Sequence, residues 1–329
     1  MLKSAGAAEL RFNVTQADEN PLARGRGKRS RRLRPETTTE TCLARALCRF
    51  GCAIAGALAM LPAGWGSVAA DDKAVDSAGV VEAGRRLAAA YPEHLSHVDG
   101  ETLVWRDGTR MPLDDGLGLK SPEAWLATPD LADMLSPPYP AGPLAAPPDA
   151  DPGRARNAAF LEKMYGDCRS GAVNDRLTEV AWLPKRGGTR LKVTRVNGVA
   201  ERLAAISREL DELPASFDRF LMPPAGTYNC RVIAGTSRVS AHGYGIAIDI
   251  AAGPSDYWRW AAGGAVPSEA RPAPWRNRIP TEIVAVFERH GFIWGGKWRH
   301  FDTMHFEYRP ELLPPLAPLA PAPPVGEVR

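Results

Sequence analysis

The stretch "SAHGYGIAIDI", Ser240 to Ile250, sets a histidine in a glycine turn and an aspartate in an isoleucine-rich strand. Side chains alternate between the two faces of a strand, so Ile246, Ile248 and Ile250 share one face, and Ala247, Asp249 and Ala251 the other. The isoleucines point to the core. A carboxylate in such a strand is unfavourable unless something pairs with it. The two alanines beside it leave room above that face, and the Gly243–Gly245 turn can bring His242 back to the same end of the sheet.

Working outward, the surrounding 170 residues or so alternate short strands with helices. "TEVAWLP" and "TRLKVTRV" are strand-like, and Val199, Leu203, Ile206 and Leu210 mark one face of a helix. "GTYNCRVIAGTSRVSAHGYGIAIDIA" holds two strand-like runs broken by Gly and Ser. "IPTEIVAVFERHG" is a second helix, with Pro280 at its first turn and Gly291 at its stop. "FIWGGKW" and "TMHFEY" are strands on either side of a Gly-Gly turn. This order predicts an α+β domain over 151–313 with a small antiparallel sheet and flanking helices, not a doubly wound sheet.

The flanks differ in kind. Residues 71–150 form an N-terminal extension with an amphipathic helix in "VVEAGRRLAAAYPEHL" and a hairpin at Asp107-Gly108. The Pro-rich "SPPYPAGPLAAPPDADPG" reads as an extended connector, and residues 314–329 as a disordered Pro/Ala tail. Residues 1–70 read as a leader: a basic stretch precedes an apolar run from Phe50 to about Ala63, too short to span a bilayer but fit for a signal peptide. Small residues predict cleavage near Ala69 or Ala70, hence a periplasmic or secreted protein, membrane-anchored if the leader is retained.

Charge and cysteine follow the same division. The formal net charge of the 329-residue chain is +3, but residues 1–70 carry 11 Lys/Arg against 5 Asp/Glu, leaving 30 against 33 for the rest. A slightly acidic body argues against nucleic-acid binding. No obligate protein partner is evident. Cys42, Cys48 and Cys52 belong to the leader, which leaves Cys168 and Cys230 either to pair as one disulfide or to stand as separate thiols.

Of six histidines, His94 and His97 in "EHLSH" could share a helical face but lack a third ligand, His290 ends a helix, and His300 reads first as a solvated loop residue and second as a residue that could line a cleft. His305 stands in "DTMHFEY" with Asp302 three residues before it. His242, His305 and Asp249, with an open fourth position, form a catalytic zinc set. Singly, each also reads as a turn histidine, a strand histidine and a hydrogen-bonded core aspartate. No HExxH, SxxK, KTG or GxSxG motif occurs, and a strand cysteine such as Cys230 makes a poor nucleophile.

"SAHGYGIAID" resembles the SxHxxGxAxD signature of the VanY/VanX-type zinc D-Ala-D-Ala peptidases, and "DTMHFEY" resembles their second motif. "GFIWGGKWRHFDTMHFE" is most similar to the branch with L-alanyl-D-glutamate endopeptidases and phage endolysins. The resemblance is strong over about 226–312, reaches back to about 180, and is not evident in the N-terminal third. It implies a Hedgehog/DD-peptidase-like fold and one Zn2+ per chain, held by His242, Asp249 and His305. Asp302 takes the place of the general base, where VanX-like members carry Glu. An arginine holding substrate and oxyanion is Arg231 first, Arg238 second. Ser240 lies near the ligands, Glu307 supports one of them, and Trp294 and Trp298 are either cleft walls or core aromatics. The implied activity is hydrolysis of peptidoglycan stem peptides, as a D-alanyl-D-alanine carboxypeptidase or an L-alanyl-D-glutamate endopeptidase. The alternative is a zinc-stabilised cell-wall binding module that has lost catalysis.

Overall fold

The computed structural model describes residues 77–260 and 268–319. The expected leader and cleavage site, with Cys42, Cys48 and Cys52, lie outside these residues, as does the tail from 320 onward. Among the described residues no helix is long and apolar enough to cross a membrane.

Helix α1 (Ser77–Ala90) buries Val80, Gly84 and Leu87, one stripe at helical spacing. It leads into an antiparallel sheet of β1 (Leu95–Asp99), β2 (Thr102–Trp105) and β3 (Arg110–Pro112), in that order. "EHLSH" is therefore not helical: His94 sits in the turn before β1 and His97 is exposed on that strand. Short α2 (Pro122–Ala127) and α3 (Ala158–Tyr165) follow, each capped by the side chain before it, Ser121 and Asn157.

The strand-like runs at 177–194 form a two-stranded sheet of β4 (Leu177–Trp182) and β5 (Thr189–Thr194). Helix α4 (Val199–Asp211) covers it with Val199, Leu203, Ile206 and Leu210. After α5 (Asp218–Leu221), the expected strand before Ser240 is reduced to isolated bridges, Gly226 with Asp249 and Val232 with Val239, because the chain turns back within that short span.

The last sheet has the order β6-β8-β7, built from β6 (Ala247–Asp249), β7 (Phe292–Trp294) and β8 (His305–Tyr308). Helix α6 (Thr281–Arg289) lies beside it, and Phe287 stacks on Phe306 with ring centroids 3.8 Å apart. The architecture is α+β, as expected, but the strands divide into three small antiparallel sheets rather than one. Ile248, Phe306 and Trp294 are aligned across the last sheet and share the face packed into the core. Trp294 is thus a core aromatic, with its indole N–H donating to the Thr303 carbonyl.

The Pro-rich stretch and the extension are tied to this sheet. Tyr139 accepts from the Trp294 amide and donates to Glu288 at 2.5 Å, while the Lys297 ammonium donates to Glu288 and the Pro140 carbonyl. The segment at 150–153 runs along the loop after β7, where Trp298 donates to the Pro152 carbonyl and the Arg299 amide to that of Ala150. One hydrophobic cluster includes Val80 and Leu87 of α1 together with Phe306 of β8.

Candidate metal centre

The register of the last sheet sets Asp249 of β6 directly opposite His305 of β8. Directly paired residues project from the same face, so the carboxylate and the imidazole meet across the two strands. His242 arrives from the short turn Ala241–Tyr244 that precedes β6. Gly245 closes that turn with φ +69°, and a Cβ there would stand 2.8 Å from Leu177 Cδ2 and 2.9 Å from the Thr194 nitrogen. Only glycine fits that backbone and that approach.

The three donors form a close triangle. His242 Nε2 lies 3.2 Å from His305 Nδ1 and 3.2 Å from Asp249 Oδ2, and His305 Nδ1 lies 2.9 Å from Asp249 Oδ1. The opposite nitrogens are already committed. His242 Nδ1 stands 2.5 Å from the Thr227 carbonyl, which can only accept, so that nitrogen carries the proton. His305 Nε2 faces the Glu307 carboxylate at 3.4 Å and donates to it. Two lone pairs and a carboxylate therefore converge, and a cation could be held between them. A tetrahedral ion with ligand bonds of about 2.0–2.2 Å has edges of about 3.3–3.6 Å, slightly longer than the observed triangle. The donor set fits zinc.

Without a cation the cluster draws in protons. Burial works against the charged form of His305, but hydrogen bonds to Asp249 and Glu307 push its pKa up to about 9. Burial likewise opposes ionised Asp249, yet the His242 charge and the hydrogen bonds from both imidazoles hold it far below the usual carboxylate range. Asp302 is the opposite case: burial, then the Asp249 charge, raise it to about 7. Its Oδ1 is buried without a hydrogen-bond partner among the described residues. Gly295 lets the Asp302 backbone come close, since a Cβ at that glycine would lie 2.6 Å from the Asp302 carbonyl oxygen. The Asp302 amide then donates to the Gly295 carbonyl at 3.0 Å.

Glu307 is fully buried and lies on the ligand face, opposite Ala247 and Ile293. Arg156 donates to both its oxygens, at 2.8 and 3.0 Å from Nε, and Arg309 Nη1 lies 3.3 Å away. Burial opposes its charge, but Arg156 holds its pKa well below the carboxylate range, so it stays a strong acceptor for His305. Arg156 is missing from the expectations above because its partner lies 151 residues away. A glutamate buried in a strand did signal that some cation must face it. Thr227 gave no comparable signal, since it acts through its carbonyl.

The other expected residues are placed unequally. Arg231 is exposed, and its charge reaches Asp302 and the neighbouring Tyr257, which bridges to Asp302 across the loop. Arg238 stands instead near Arg156 and Arg154. Ser240 ties the His242 turn to the Arg231 carbonyl through its amide, and its hydroxyl makes no hydrogen bond among the described residues. Trp298 is at the site, its ring centroid 5.6 Å from that of His305. Cys168 and Cys230 are joined in a disulfide. His300 is not solvated: it is 5% exposed and bonded through Nδ1 to Asp151 at 2.6 Å, because the 150–153 segment covers its loop. Among the described residues the second acidic group, Asp114, Asp115 and Asp130, is served by Lys120, which pairs with Asp115 and Asp130.

Residues 234–308 match a family model described as D-alanyl-D-alanine carboxypeptidase. That span holds all three converging donors and Asp302, and it supports a VanY-type peptidase family for this part of the chain. No curated protein and no solved structure matches the chain.

Proposed function

We propose that the protein is an exported, zinc-dependent peptidase acting on peptidoglycan stem peptides. The observation that carries the reading is the meeting of two imidazole lone pairs and a carboxylate beside a buried, unpartnered carboxylate oxygen on Asp302. Zinc held by His242, Asp249 and His305 would supply Lewis acidity and lower the pKa of water to near neutrality. The chain's own groups do the rest. Thr227 and Glu307 fix the tautomers of the two imidazoles. Asp302 takes a proton from the attacking water and returns it to the leaving amine. Arg231, whose charge already reaches Asp302, holds the developing negative charge on the carbonyl oxygen. The Cys168–Cys230 disulfide suits an oxidising compartment, which supports export.

The family description favours removal of a terminal D-alanine, and the "GFIWGGKWRHFDTMHFE" stretch favours cleavage between L-alanine and D-glutamate. Mass spectrometry of stem peptides incubated with the zinc-loaded protein separates the two by the fragment released. Asp302→Ala should lower turnover by at least about 100-fold while zinc stays bound, because the ligands are untouched. Full activity in that variant would contradict the mechanism. Absence of any cleavage by the zinc-loaded wild type would favour the binding-module alternative.

A further inference from the structure

Beside the metal centre lies a cavity of about 290 Å³, walled by Thr128, the first turn of α3, Ile233 and Val239, with Arg156, Arg238 and Tyr244 among its lining. Most of this wall comes from residues outside the segment matched by the peptidase family model. The cavity shares two parts with the centre: Arg156, which holds Glu307, and the turn that carries His242 and ends at Tyr244.

Its polar groups are unevenly used. Arg156 is already spent on Glu307. The Arg238 guanidinium makes no hydrogen bond or ion pair among the described residues, although it is partly buried and near two other arginines. Burial first, then the charges of Arg156 and Arg154, depress its pKa to about 10; the nearby Glu269 charge opposes this but pairs with Arg154, not with Arg238. Tyr244 is 1% exposed, yet its hydroxyl also makes no hydrogen bond among the described residues. Lining the cavity with no partner of its own, this hydroxyl is free to donate to a ligand there. The Asn157 side chain caps the Phe160 amide, but the amides of Ala158 and Ala159 have no acceptor among the described residues and add donors on the same wall.

We propose that this cavity is a substrate subsite for a carboxylate of an acidic peptide, with Arg238 as receptor and Tyr244 as second donor. The proposal rests on the peptidase reading and deepens it: the enzyme selects stem peptides by a free carboxylate away from the scissile bond. A carboxylate is the ligand because it supplies the missing negative charge and accepts from both a guanidinium and a hydroxyl. The volume suits one peptide side group, at the low end of ligand sites.

The carboxylate could be the one on D-glutamate or the one at the peptide's C-terminus, and the test separates them. The zinc-loaded protein is given the stem pentapeptide, the same peptide amidated at D-glutamate, and the same peptide amidated at its C-terminus. The wild type should favour the free acid over one of the two amides by about tenfold in kcat/KM, the scale of one charge-assisted hydrogen bond, with the difference in KM. The amide that loses identifies the carboxylate. The preference should fall close to unity in Arg238→Gln and return in part in Arg238→Lys, with circular dichroism confirming that both variants fold. Cleavage of all three peptides without preference, or a preference unchanged in Arg238→Gln, overturns the subsite alone. No cleavage of any peptide by the wild type overturns the peptidase reading and the subsite with it.

Discussion

At the scale of single residues, the centre depends on where two protons sit. His242 gives its Nδ1 proton to Thr227 and His305 its Nε2 proton to Glu307, which frees the lone pairs that face Asp249. In the metal-free protein His305 keeps an extra proton up to about pH 9, above the ordinary histidine value. Zinc must displace that proton, so affinity should rise about tenfold per pH unit below pH 9 and level off above it. Chelator competition between pH 6.5 and 9.5 measures the slope; a flat profile would contradict the assignment of Nδ1 as ligand. Arg156→Met removes the larger of the two arginine charges that keep Glu307 ionised, leaving Arg309. Zinc affinity should then fall about 10- to 100-fold, as for other losses behind a ligand. Since Arg156 also pairs with a buried carboxylate, stability should drop too, by about 3–5 kcal/mol. Thermal melts taken with and without zinc distinguish the two effects.

At the scale of elements, the site is a cross-strand pair completed by a turn, and the turn is buttressed from below. A Cβ on Gly243 would lie 3.2 Å from Cys168 Sγ, so the disulfide packs directly against the backbone that carries His242. The bond joins residues 62 apart in the chain, and replacing both cysteines by alanine should cost about 2–4 kcal/mol in denaturant unfolding. It should also weaken zinc binding, because the Asn229 amide, one residue before Cys230, donates to the His242 carbonyl. Unchanged zinc affinity in the double variant would show that the turn stands without this support. Much of this level was legible in the sequence. Alternation placed Asp249 opposite the isoleucine face, the helix at 199–211 followed from its apolar spacing, and that at 281–289 from Pro280 and Gly291 at its ends. The division into three sheets was not legible, because strand pattern shows which face is buried but not which strand is the neighbour.

At the scale of the whole molecule, α1 is linked to the strand that bears His305. Tyr91, just after α1, donates to Glu311 at 2.6 Å; Glu311 takes Arg309 Nε at 2.5 Å, and Arg309 reaches Glu307. Such a chain of buried charges is stable only when every member is paired. Arg309 also donates to the Gly153 carbonyl, so the Pro-rich stretch shares in the network that ends at His305. None of these contacts could be read from the sequence, since buried ion pairs between distant segments leave no local pattern. The chemistry-bearing motifs were legible because each is local: a turn and strand for His242 and Asp249, a loop and strand for Asp302 and His305. The central claim is that those motifs meet at one metal. The most direct measurement is the metal content of the purified wild type beside His242→Ala, with circular dichroism confirming that the variant is folded. The account predicts about one zinc per chain in the wild type and almost none in the variant. Equal zinc in both proteins, or none in the wild type after zinc loading, would contradict it.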